Sequence, residues 1–252
     1  MNTLNMAGKR KPDGQAANLM SATARWGFPL GRICGLIGLG LTLAVGGLAL
    51  TLRPAGEAQD VSEEGAIAQV TARLLENAHY TGHRLDNAMA SRFLDRYLEM
   101  LDGAHLYFLE SDLAEFAPLR TRLDDLTLKS GDTSPAYQIF GRFQERLEQR
   151  IAYVQDLLKT EKFEFNGNDT YSMDREHASR PSDLAAAKQL WRQQLRYEYL
   201  QEKLGDQKSD EILKTLSRRY ERLAHSLKQW NHDRVFEMYL TALANVYDPH
   251  SD

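Results

Sequence analysis

Apolar and polar positions follow a helical period over most of this chain. From the capping residue Asp86 to Asp102, Ala90, Phe93, Leu94, Tyr97, Leu98 and Leu101 return at three- and four-residue steps, which commits one face of a helix to a core. From Pro135 to about Lys159 a longer helix repeats the pattern through Ile139, Phe143, Leu147, Ile151, Val154 and Leu158. Ser134 and Pro135 give it a good start, because proline in the first turn surrenders an amide that would lack a partner anyway. Neither helix is stable alone in water, so the rest of the chain must supply partners.

The remaining periods supply them. Ser62 caps a helix to about Ala78 with Ile67, Val70, Leu74 and Leu75 on its apolar face. Leu106, Phe108 and Leu109 form a short extended piece, and Ser111 restarts helix with Leu113, Phe116 and Leu119 inward, broken near Pro118. Ser182 caps a helix carrying Leu184, Leu190, Trp191, Leu195, Tyr199 and Leu200 as far as Gly205. Two more run from Ser209 to Lys228 and from Asp233 to Val246, the last with Val235, Phe236, Tyr239, Leu240 and Leu243 in step. Only at Phe163 and Phe165 does the period change to two, ahead of the turn residues Asn166, Gly167 and Asn168, which predicts a small hairpin. The expected fold is all-α, an irregular multi-helix domain with at most a small β hairpin.

The amino end reads differently. Residues 1–32 predict a flexible basic leader, with Lys9, Arg10, Lys11, Arg25 and Arg32 against Asp13. Residues 33–52 then run for twenty positions without a charge, long enough for a membrane helix or the apolar part of a secretory signal. Positive flanks stay in the cytoplasm, so the chain beyond Arg53 is expected on the far side of the inner membrane, in the periplasm. A linker over 53–61 leads into the helical domain, 62–252. The one cysteine, Cys34, allows no disulfide within the chain and sits at the start of the apolar run, where a lipid anchor does not belong.

Charge narrows the chemistry. Beyond residue 52 the chain has 26 basic and 34 acidic side chains, so its field repels phosphate backbones and no nucleic-acid partner is expected. Trp191 and the tyrosines read as packing groups rather than a base-stacking surface. His79 and His83 lack the further donors of a metal site, and no cofactor is expected. Asp248, His250, Ser251 and Asp252 have the letters of a nucleophilic relay but not its arrangement, and the sequence has neither a Gly-x-Ser-x-Gly elbow nor a phosphate-cradling glycine loop. Arg142, Arg146 and Arg150 recur every four residues, with Glu145 and Glu148 interleaved. The row is either a docking surface for an acidic partner or a solvated face laced by ion pairs.

A set of short segments carries a resemblance. They are Arg92-Phe93-Leu94-Asp95-Arg96-Tyr97-Leu98, Leu101-Asp102, Tyr107-Phe108-Leu109 with Ser111-Asp112-Leu113, and Ala136-Tyr137-Gln138-Ile139-Phe140. Arg146 with Glu148, Gln149 and Arg150 follows, then Asp174-Arg175-Glu176, Arg219-Tyr220 and finally Asp248-Pro249-His250-Ser251. In order and spacing they resemble the amino-terminal domain of the tail-specific proteases, the carboxy-terminal processing peptidases. One departure stands out: where such proteins tend to place a tryptophan after the Asp-Arg-Glu piece, this chain has Ser179, Arg180 and Pro181.

The resemblance implies a serine endopeptidase whose PDZ module and Ser/Lys protease domain would follow Asp248, Pro249, His250 and Ser251, here a linker motif. No catalytic residue transfers to this chain. The resemblance also implies a protein partner, a helical-repeat lipoprotein adaptor, with protein substrates reached through the PDZ and protease domains. The alternative is a free-standing, non-enzymatic helical interaction protein of the cell envelope.

Overall fold

The computed structural model describes residues 61–78, 82–167 and 170–248. The expected leader and apolar segment, residues 1–52, lie outside them, as does His79. Among the described residues no helix is long and apolar enough to cross a membrane.

Four of the helices start where a local side chain accepts one of their first amides. The α1 helix (Glu63–Ala78) begins with Ser62 Oγ accepting the Gly65 amide at 3.1 Å. The α2 helix (Asn87–Asp102) begins with Asp86 accepting the amides of Ala88 and Met89. After α3 (Glu110–Phe116), Pro118 helps turn the chain into a 3-10 segment, Ala117–Thr121. A single turn, α4 (Leu123–Asp125), and a π turn, Leu126–Ser130, lead to Gly131 in the left-handed region. The long α5 runs Ser134–Thr160, α6 Leu184–Lys203, α7 Ser209–Lys228 and α8 His232–Tyr247. Asp183 rather than Ser182 caps α6, accepting the Ala186 amide at 2.8 Å.

A first core forms around α2. Phe93, Leu94 and Tyr97 are buried in it, and the Tyr239 ring of α8 has its centroid 4.6 Å from that of Phe93 and stands edge-on to Tyr97 at 5.2 Å. The first half of α5 joins this core through Ala136, Ile139, Phe140, Phe143 and Leu147. Its second half supplies Val154, Leu157 and Leu158 to another core with Leu195 and Tyr199 of α6 and Ile212, Leu216 and Tyr220 of α7. At its ordinary rise α5 spans about 40 Å, which is how it serves both.

The architecture is all-α, as the periods predict, and among the described residues no strand occurs. The hairpin expected after Phe163 is therefore absent from the described part. Phe163 and Phe165 do share a side, but what they meet is the Tyr199 ring of α6, with centroids 4.2 and 5.9 Å away. A stacked aromatic takes the place of a partner strand.

The apolar face expected of α1 is reversed. Ile67, Val70 and Leu74 are 44%, 56% and 60% exposed, while Gly65, Ala68 and Ala72 face inward with Leu75 half-buried. Backbone proximity causes this: a methyl group at Gly65 would stand 2.2 Å from the Gly131 carbonyl oxygen, so only a small-residue face can approach the 126–131 turn. Gly65→Ala should accordingly cost about 1–3 kcal/mol by forcing α1 outward. Chemical denaturation would measure the loss, and hydrogen exchange should localise it to α1; an unchanged midpoint would refute this account of the contact.

Candidate functional site

Three carboxylate or guanidinium centres stitch the irregular segment 103–109 to the helices around it. The first is Asp102, fully buried at the end of α2. Its Oδ1 accepts the Leu106 amide at 2.7 Å, and its Oδ2 accepts those of Tyr107 and Phe108 at 3.1 and 3.0 Å. Arg180 closes the ion pair on the same oxygen and lays its guanidinium over the Phe108 ring at 5.7 Å. The Arg180 that departs from the expected tryptophan thus brings a flat cation to an aromatic face. Trp191 of α6, fully buried, donates its indole N–H to the Leu106 carbonyl at 2.6 Å.

The second centre is Asp112, the third residue of α3, also fully buried. It reaches back to accept the Leu109 amide at 2.9 Å. Arg146 grips both its oxygens, with Nε at 2.9 Å and a terminal nitrogen at 2.7 Å, and Arg142 adds a bond at 2.7 Å. Burial by itself would push the Asp112 carboxyl up, but the hydrogen bonds from Arg146, Leu109 and Arg142 outweigh it and hold the group below its ordinary value.

The third is Arg150, 3% exposed. It donates to the hydroxyls of Tyr107 at 3.0 Å and Tyr220 at 3.2 Å, and its guanidinium lies 5.2 and 5.7 Å from those two rings. Burial opposes the charge, yet Tyr107, Tyr220 and Glu198 reverse the balance and raise its pKa above the usual arginine value. Glu198 of α6 answers in the opposite sense: burial lifts its carboxyl even though Arg150 and Arg219 draw it down.

These positions bear on both readings of the arginine row. Four-residue spacing does place Arg142, Arg146 and Arg150 on one side of α5, but that side faces the seam. Arg146 is 9% exposed, and Arg142, partly exposed, is held by Asp112, Glu115 and Glu145. Ion pairs lace the row at Arg142, as one of the two readings expects, while Arg146 is buried on Asp112 and Arg150 between Tyr107 and Tyr220. Of the linker motif, Asp248 follows α8, with its amide bonded to the Ala244 carbonyl, and Pro249, His250 and Ser251 lie outside the described residues.

Chemically, the seam fixes structure. The Asp102 and Asp112 charges are spent on arginines and backbone amides, and the Arg150 charge on two tyrosine hydroxyls. Asp102, Asp112, Arg146, Arg150, Tyr107 and Tyr220, which all lie in the segments that carry the resemblance, meet here. Residues 71–252 match the family described as "Tail specific protease N-terminal domain". The chain belongs to this family. A tail-specific protease of Haemophilus influenzae is 35% identical over 194 residues, covering 76% of this chain. The chain spans 28% of that relative's length.

As a tail-specific protease amino-terminal domain, the molecule has its marker residues at staples rather than at a reaction centre. Sequence reasoning missed Asp102, Asp112 and Arg180 as partners of the arginines and of the 103–109 turn. The only local signal was an acidic residue at the third position of α3, the placement of a reciprocal cap.

Proposed function

We propose that this domain is the amino-terminal scaffold and adaptor-docking region of a periplasmic carboxy-terminal processing serine peptidase, which trims or degrades proteins from their carboxyl ends. The observation that carries this reading is the family match over residues 71–252. Catalysis then belongs to a Ser/Lys pair on another part of the enzyme, and residues 33–52 act as a signal or an inner-membrane anchor. What the domain contributes is a rigid frame and a surface for protein partners.

With the arginine row turned inward, docking falls to the outer face of α1. Ile67, Val70 and Leu74, spaced by three and four, are the anchors of a helix laid into an apolar groove, and the occupant proposed is a groove of the helical-repeat adaptor. Placing glutamate at both Ile67 and Leu74 should weaken adaptor capture at least about tenfold, since each buried aliphatic group contributes about 1.5–3 kcal/mol. Undiminished capture by a folded variant would overturn this assignment.

The enzyme reading is tested by the native mass of the product, detected in its source cells with an antibody against residues 60–250. A band far above 28.7 kDa supports it, and a band at or a few kDa below that mass refutes it. The second result would favour a free-standing helical interaction protein, the reading that the exposed face of α1 also fits.

A further inference from the structure

Apart from the seam residues, α1 and α8 bring a second set of polar side chains together. Glu64 in the first turn of α1 meets His232 and Asp233 in the first turn of α8, and one ligand atom from each lies within 4.8 Å of the other two. Glu64 Oε1 is 2.8 Å from His232 Nδ1. The set is held from behind: the Tyr137 hydroxyl donates to Glu64 Oε2 at 2.8 Å and lies 3.0 Å from His232 Nδ1. The Tyr137 ring is stacked on the imidazole, with centroids 4.0 Å apart and planes 14° from parallel. Asn231 caps the Arg234 amide and so fixes where His232 and Asp233 leave the α8 backbone. Close contact between Gly65 and Gly131 does the same for Glu64.

We propose that Glu64, His232 and Asp233 form a binding site for a zinc-class divalent cation that clamps α1 to α8. The donor chemistry selects the ion. One imidazole and two carboxylates suit zinc and its borderline neighbours, whereas magnesium keeps oxygen ligands and most of its water. Around one zinc ion the donors stand at about 2.0–2.2 Å from the metal, a contraction open to the solvent-facing ends of His232 and Asp233. Three protein ligands leave the fourth position to water. Nδ1 would bind the metal through its lone pair, so its hydrogen bond with Glu64 gives way to coordination and the ring's N–H moves to Nε2. Tyr137 takes the outer-shell role, holding one carboxylate oxygen and the plane of the ring.

Such an ion would tie the first helix of the domain to the last. The apolar face of α1 would then be presented from a fixed position, and metal affinity would add directly to the stability of that packing.

The test uses the full chain stripped with a chelator. Zinc at a hundredfold excess over its dissociation constant should raise the unfolding midpoint by about 5–10 °C, and magnesium should leave it unchanged. Cobalt should bind with the visible absorption of a low-coordinate site, which reads the ligands independently of stability. His232→Ala and Asp233→Asn should each abolish the cobalt spectrum, Tyr137→Phe should weaken binding about tenfold, and His225→Ala should change nothing. A chain without a zinc shift or cobalt absorption overturns the site. So does a signal that survives in the His232→Ala, Asp233→Asn double variant, since it would belong to other donors.

Discussion

Asp112→Ala should lower the stability of the domain by about 3–5 kcal/mol, the usual cost of removing one partner from a buried ion pair. The size follows from what is left behind. Arg146 would keep a buried guanidinium with two of its donors unmatched, Arg142 would lose its innermost acceptor, and the Leu109 amide would have no partner. Asp112→Asn keeps the shape and one acceptor but discards the charge, so it should recover part of the loss. Urea unfolding followed by circular dichroism measures both, and a change under about 1 kcal/mol for the alanine variant would show that the pair contributes nothing net.

The same carboxylate predicts a pH dependence with a definite sign. Because its folded pKa lies below the ordinary 3.8, its contribution is fully present above that value and is lost as the pH falls through the lower, folded one. Acid unfolding of the wild type should therefore steepen below about pH 4, and that component should be missing from Asp112→Asn.

Asp102→Ala is expected to cost about as much, and to show it in a different place. One carboxylate terminates three consecutive amides and the Arg180 guanidinium, so its loss orphans a whole turn rather than one pair. Each orphaned buried group costs about 1–3 kcal/mol, and opening of the turn limits the total to about 3–5 kcal/mol. That opening has its own readout: Leu106 is the residue to which Trp191 donates, so α6 should loosen with it. Trp191 emission should shift to the red, and the amides of 106–108 should exchange faster than those of α8. Normal exchange at 106–108 would refute the role given to Asp102.

These two staples also explain which parts of the molecule could be read from sequence. Helix positions were legible because their causes are local: Asp86 caps its own neighbours, Pro118 marks where α3 gives way to a 3-10 segment, and Phe93, Tyr97 and Leu101 carry their period within a few turns. Directions were not. The spacing of Arg142, Arg146 and Arg150 shows that they share a side, but which side faces inward was settled by Asp112 on another helix.

For α1, side-chain size pointed the wrong way, because the limit on approach is a backbone contact between Gly65 and Gly131 that hydrophobicity does not register. Phe163 and Phe165 were rightly paired and wrongly partnered, since the ring that receives them comes from α6. The Glu64, His232 and Asp233 set had no local signature, because its members come from opposite ends of the helical domain.

The long α5 helix has a further consequence. Its first half is a wall of one core and its second half a wall of the other, with Arg150 near the crossing held between Tyr107 and Tyr220. A rod shared in this way cannot rotate at one end without turning the other. A substitution that tilts α5 against α6 and α7 is therefore expected to disturb its packing against α2 as well.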